Sequence, residues 1–258
     1  CSAHCSCSNL AALLHTRLST EALKATAQSR HRRKQHGARP SSHPPAARGR
    51  GPRQGRGARE AQTQGARLVT GASGGLGEEV AAAYAARGCA VVLSARRRRE
   101  LDRVAARCRE AGAPTAEVVP LDQGDGQSVE RALRGALAAP LDVVVLCGGV
   151  GSRAAALDTD AATLRRLMET NFLATAELGR RCARHFIDER RDGRVVVVSS
   201  VQGYFGLPQR AAYAASKHAL HGYFDALRAE LAAETAARVS VTVCAGISQC
   251  ADGHSSRV

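Results

Sequence analysis

RLVTGASGGLGEEVAAAYAARG, residues 67–88, changes character twice: a short apolar run gives way to a glycine-rich turn, and the turn to an alanine-rich amphipathic segment halted by Gly88. The order predicts a buried strand, a tight turn and a helix. Gly71, Gly75 and Gly77 form a GxxxGxG turn directly between them. Glycine lets the backbone come close to a pyrophosphate, and the helix that follows offers it free N–H groups and a partial positive charge. A glycine trio alone decides little, but its place between strand and helix is the arrangement a dinucleotide needs.

Outward from this unit, the chain repeats the alternation. Further strands are expected over residues 90–94, 117–121 and 142–146. A fifth contains the four valines 195–198 and ends at Ser200, and a sixth covers 238–244. A long helix is expected over 160–191 and another from about Ala211 to Glu234. Strands alternating with helices imply an α/β domain on a parallel sheet. After the second strand comes SARRRR, with no acid before Glu100. An acid at that place would bond the ribose hydroxyls of NAD, whereas an arginine accommodates a 2′-phosphate. Arg96 is the first candidate, with Ser94 and Arg97 behind it, so NADP is expected ahead of NAD. A basic start to an exposed helix is the plainer alternative.

The chemistry-bearing stretch is SSVQGYFGLPQRAAYAASK, residues 199–217. Tyr213 and Lys217 are four residues apart, which on a helix places ammonium and phenol on one face. A free tyrosine titrates near ~10 and is a poor acid at neutral pH, and a neighbouring cation lowers that value. A tuned phenol can pass a proton to or from a carbonyl oxygen while a hydride moves at carbon, and a Ser200 hydroxyl can hold that oxygen.

Taken together, a strand ending in a serine pair, then Tyr213, Ala215, Ser216 and Lys217, resembles the short-chain dehydrogenase/reductase family. SSVQG, Pro208, AAYAASKHAL and DALRAEL are similar to its dehydrogenase/reductase member 7-like branch, and the resemblance runs over residues 66–250. It implies a doubly wound sheet of order 3-2-1-4-5-6. It selects Ser200 over Ser199 as catalytic, gives Asn171 in METNFLATAEL a proton-relay role, and adds Ser73, Leu76 and Asp122 to the cofactor contacts, with Gly149, Tyr213 and Lys217. The pattern departs in three places. Leu146 and Cys147 stand where the family has an Asn pair, ahead of Gly148 and Gly149; the lost amides remove a sheet-bracing hydrogen bond. Ala245-Gly246 replaces Pro-Gly, and Cys250 an expected Thr. The family's seventh strand and substrate-covering loop have no counterpart before Val258.

Composition bounds the rest. With 44% hydrophobic and 3% aromatic residues in 258, the core is built from Ala, Val and Leu. Of a net charge of +14, a net +10 falls within residues 1–65, where twelve Lys or Arg face only Glu21 and Glu60. That leader, rich in Arg, Ser, Gly and Pro, buries too little apolar surface to offset chain entropy and is expected to be disordered, apart from a short helix over 10–28. An expendable solvated leader, an organelle transit peptide and a nonspecific nucleic-acid tail remain open readings, with nucleic acid the least favoured. Nine scattered cysteines suggest reduced thiols inside the cell, in cytoplasm or an organelle, with membrane association a further option from the branch. Cys1, Cys5, Cys7 and His4 lack the second arm of a zinc site, so no metal is expected, and no apolar run is long enough to span a bilayer.

The expectation is therefore an NADP-dependent oxidoreductase for a carbonyl or alcohol substrate, lipid-like or steroid-like by branch resemblance, with a homodimer among its expected states. Its rivals are a catalytically silent dinucleotide-binding scaffold and an RNA-binding leader carrying a passenger domain.

Overall fold

The computed structural model describes residues 65–236 and 238–246; the basic leader and Cys250 lie outside them. Six strands form one parallel sheet in the order β3-β2-β1-β4-β5-β6. They are β1 Ala66–Thr70, β2 Val91–Ala95, β3 Ala116–Pro120, β4 Leu141–Leu146, β5 Gly193–Ser200 and β6 Val239–Gly246. Helices α1 Gly75–Ala85, α2 Arg98–Glu110, α3 Gly126–Ala136, α4 Ala161–Met168, α5 Ala174–Asp188 and α6 Ala211–Glu234 make the crossovers. The expected strand order is the observed one. It reverses between β1 and β4, so the ends of these neighbours open a crevice.

The strands read as apolar runs because both faces are covered. On one side Leu68, Val144, Leu146, Val195 and Val197 pack with Leu133 of α3, Leu178, Cys182 and Phe186 of α5 and Leu220 and Phe224 of α6. On the other, α2 turns Leu101, Val104, Ala105 and Cys108 inward and its arginines outward. Helix starts follow local chemistry: Asp125 accepts from Gln127 N at 2.9 Å ahead of α3, and Asp160 from Thr163 N at 2.6 Å ahead of α4.

The single helix expected over 160–191 is interrupted. Between α4 and α5 lies a π-turn, Glu169–Leu173, in which Ala174 N–H reaches back to Glu169 O. The extra residue per turn carries Asn171 to full burial, at 0% exposure. Among the described residues, no helix is long and apolar enough to cross a membrane.

Candidate active site and cofactor crevice

The glycine turn is shaped by two requirements. Gly71 has φ +65°, a left-handed conformation that favours glycine. Gly77, in the first turn of α1, lies so close to the Gly71 carbonyl that a Cβ would overlap it, so helix and strand end are pressed together. No side chain caps α1. Its first-turn N–H groups, including that of Leu76, point toward the crevice and can take an anion.

Arg97 supplies the charge there. Its Nε lies 3.3 Å from Ser73 Oγ, and its Nη2 donates to Ser73 O and Oγ, both at 3.1 Å. Arg96, the first choice from sequence, is exposed and makes no hydrogen bond or ion pair among the described residues. Ser94, buried at 2%, donates its hydroxyl to Val119 O at 2.6 Å and belongs to the sheet. β2 runs to Ala95, in step with Pro120, one residue beyond the expected end. Asp122 is half-buried after β3, where its Oδ1 accepts from Gly124 N at 2.9 Å.

The catalytic candidates come from α6, the end of β5 and the π-turn. Lys217 is 6% exposed; its Nζ donates to Val198 O at 3.2 Å and lies 5.7 Å from the centre of the Tyr213 ring. Burial lowers its ammonium to about 8. Asn171 Oδ1 accepts from Val150 N at 2.7 Å, while its Nδ2 donates to Val150 O at 2.9 Å and Ser216 Oγ at 3.0 Å. Ser216 in turn donates to Tyr213 O at 2.7 Å. One amide therefore ties the π-turn, the segment after β4 and the first turn of α6.

The two serines take different surroundings because strand side chains alternate faces. Ser199 is 6% exposed and shares a 2.9 Å hydrogen bond with His221 Nε2. The His221 ring packs, tilted by 59°, against Tyr204 at 4.4 Å between centroids, and is held below its usual pKa chiefly by burial. Ser200 is half-buried at the carboxyl end of β5, its Oγ accepting from Gln202 N at 3.2 Å. That bond leaves the hydroxyl hydrogen and a second lone pair for another partner.

Where the Asn pair is missing, the sheet is braced by other groups. Leu146 is buried in the core. Thr70 Oγ1 accepts from Cys147 N at 3.1 Å and Gly148 N at 3.2 Å, tying the ends of β1 and β4. Packing pushes the Cys147 thiol up to about 12, so it stays neutral near Lys217. Gly149 approaches the same centre: a Cβ there would be 3.2 Å from Asn171 Oδ1 and 3.7 Å from Lys217 Nζ. Sequence reasoning assigned no role to Thr70, although it opens the TGxxxGxG pattern, and missed Gln123 and His221, which belong to no motif singled out from the sequence. Among the described residues no cluster of His, Cys, Asp or Glu could hold a metal.

The chain is similar to known oxidoreductases. Dehydrogenase/reductase SDR family member 7 from Homo sapiens is 42% identical over 183 residues, covering 69% of this chain and 53% of that protein. Dehydrogenase/reductase SDR family protein 7-like from Anopheles gambiae is 41% identical over 171 residues, covering 64% and 54%. The chain thus spans about half the length of the curated relatives it matches. Among solved structures, a metagenomic short-chain oxidoreductase in complex with NADP aligns with a TM-score of 0.65 at 32% identity, covering 71% of this chain and 82% of that one. An actinorhodin polyketide ketoreductase variant with NADPH also aligns at 0.65, with 28% identity over 70% and 69% of the two chains. Residues 66–254 match the family model for short chain dehydrogenase, and with this sheet order, glycine turn and Tyr213–Lys217 pair the chain belongs to the short-chain dehydrogenase/reductase family, in its member 7-like branch.

Proposed function

We propose that this protein interconverts a carbonyl and an alcohol with a nicotinamide cofactor, NADP(H) rather than NAD(H). The observation that carries the reading is the buried Lys217 ammonium beside the Tyr213 ring, on a helix whose Ser216 hydroxyl links Asn171 to the Tyr213 carbonyl. The crevice fits a dinucleotide on its own geometry. The uncapped α1 N-terminus would take the pyrophosphate, Gly75, where a Cβ would meet nothing within 4 Å, leaves room for it, and Asp122 would meet the adenine end. Arg97, at the turn after β2, and Arg96 beside it give the 2′-phosphate its countercharge, which favours NADP.

When bound, the nicotinamide supplies the hydride for carbonyl reduction or takes it in alcohol oxidation. In the reductive direction Tyr213 gives its phenolic proton to the carbonyl oxygen, and in the oxidative direction it takes that proton back. Ser200 donates a hydrogen bond to the same oxygen and orients it. Lys217 stabilises the phenolate by its charge and reaches the cofactor ribose. Asn171 keeps the lysine end of the proton path in place. By branch, and by the hydroxysteroid 11-beta-dehydrogenase 1-like protein of Danio rerio at 37% identity, lipid-like or steroid-like carbonyls are the first substrates to offer.

A catalytically silent dinucleotide binder is the second reading, favoured by Leu146 and Cys147 at the Asn-pair positions. The test is NADPH consumption over a panel of lipid-like and steroid-like carbonyls, with NADPH affinity measured in parallel. Turnover that disappears in Tyr213→Phe supports the enzyme, whereas tight binding without turnover on any carbonyl supports the silent binder.

A further inference from the structure

Gln123 follows β3 and Leu121 at the carboxyl edge of the sheet, in what reads from sequence as an ordinary polar loop. It is only 8% exposed. Its Nε2 donates to Thr170 O and to Thr175 Oγ1, both at 3.1 Å. Thr170 immediately precedes Asn171 in the π-turn. Because Ala174 N–H bonds Glu169 O, it does not serve Thr170 O as it would in an α-helix, and the Gln123 amide supplies a donor. A buried carbonyl without one is costly, so this amide bears directly on whether the π-turn or a straight helix is preferred.

The other end of the amide meets β4's exit. A Cβ at Gly148 would overlap Gln123 Oε1, so the amide fills the space above Gly148 while Thr70 holds Gly148 N from below. Gln123 thus touches the segment leading to Gly149 and Val150 on one side and the π-turn on the other. Those are the two pieces that Asn171 joins through Val150. An amide from the β3 exit stands beside the place where the chain lacks the family's own amides.

We propose that Gln123 is a positioning residue of the active site: it clamps the π-turn to the β4 exit, so that Asn171 keeps its bonds to Val150 and Ser216 and, through Ser216, fixes the start of α6 that carries Tyr213. The proposal rests on the oxidoreductase reading for its kinetic consequence, and on geometry alone for its structural one.

The test uses Gln123→Met, close in shape but with no amide, in the full chain. The Asn171 side-chain amide is observed by 1H–15N NMR with NADPH present and assigned by its loss in Asn171→Ala. The expected result is a moved or exchange-broadened Asn171 amide. kcat falls about tenfold or more, while KM and NADPH affinity stay within about twofold, as expected when an orienting contact is lost but binding is not. If Gln123 merely fills the core, the Asn171 signal stays put and kcat follows only the loss of folded protein, and that outcome overturns the proposal. Because the NMR signal needs no substrate, it decides the matter even if the wild-type protein reduces nothing, a result that would fail the oxidoreductase reading separately. Should Gln123→Met not fold, Gly148→Ala, which displaces Oε1 while keeping the amide, is read by the same signal with the same two outcomes.

Discussion

Lys217 Nζ stands 5.7 Å from the centre of the Tyr213 ring with its ammonium taken out of water, its described hydrogen bond going to the Val198 carbonyl. Burial lowers its pKa from 10.5 to about 8, so the unfolded chain binds this proton more tightly than the folded one. The penalty is full below about pH 8 and disappears as pH rises through the unfolded value near 10.5, so stability rises across that window. In the cofactor-free protein, the stability of wild type relative to Lys217→Met should therefore increase between those pH values by on the order of 3 kcal/mol. Urea midpoints at several pH values measure it. A flat difference would mean the folded lysine titrates like the unfolded one, as a solvated ammonium, and the tuning of Tyr213 would lose its buried charge.

Cofactor choice should depend on Arg97 more than on Arg96. Arg97→Ala is expected to weaken NADPH about tenfold or more, the scale of one charged hydrogen bond, with NADH little changed. Arg96→Asp should cost less, since its exposed guanidinium is not held at the glycine turn. Titration of both cofactors by fluorescence distinguishes the two; a larger loss in Arg96→Asp would restore the order expected from sequence.

The neighbouring serines should separate cleanly. Ser200→Ala should lower kcat by about 10²–10³-fold, the range for removing one donor to a reacting oxygen. Ser199→Ala loses a partly buried bond to His221 and should cost on the order of 1 kcal/mol in stability, with kcat held. Equal kinetic losses would show that the loop after β5 moves as one piece.

An acid limb of stability should trace to Glu78. Its carboxylate is held below the usual value chiefly by Arg103, which binds it with two hydrogen bonds of 2.8 and 2.7 Å, and further by Arg107. A depressed pKa contributes stability above the unfolded value of 4.5 that is lost as pH falls through the folded one. Partly exposed arginines limit the effect to on the order of 1 kcal/mol. Glu78→Gln should lack this acid-dependent loss in thermal midpoints from pH about 6 to about 3; an unchanged slope would assign it to other carboxylates.

Much of this molecule is legible in the chain because its elements announce themselves by repetition: valine-rich runs, glycine after β1, alanine-rich crossovers. What escapes does so for definable reasons. That Arg97 rather than Arg96 reaches Ser73 depends on the conformation of the turn after β2, which no local pattern records. Thr70 reads as one more β-branched strand residue until its register with Leu146 puts its hydroxyl under Cys147 and Gly148. Asn171 was found through resemblance, but METNFL suits an α-helix as well as a π-turn, so the manner of its burial was not. Gln123 looks like a loop residue because its burial is created by a glycine distant in sequence.

The π-turn has a mechanical side. Each residue of an α-helix advances its faces by about 100°, so the wider turn at Glu169–Leu173 acts as a gear offset between α4 and α5. Leu167 is buried on one side of it and Leu178 on the other, and each helix meshes with its own neighbours: α4 leans on α6, and α5 lies on β4 and β5. The two can be matched to different partners without a break in the rod. Deleting a single residue within Glu169–Leu173 would re-time them together, turning α4's apolar side away from α6 while α5 stayed engaged. Length within these five residues is thus under tighter constraint than their side chains alone suggest.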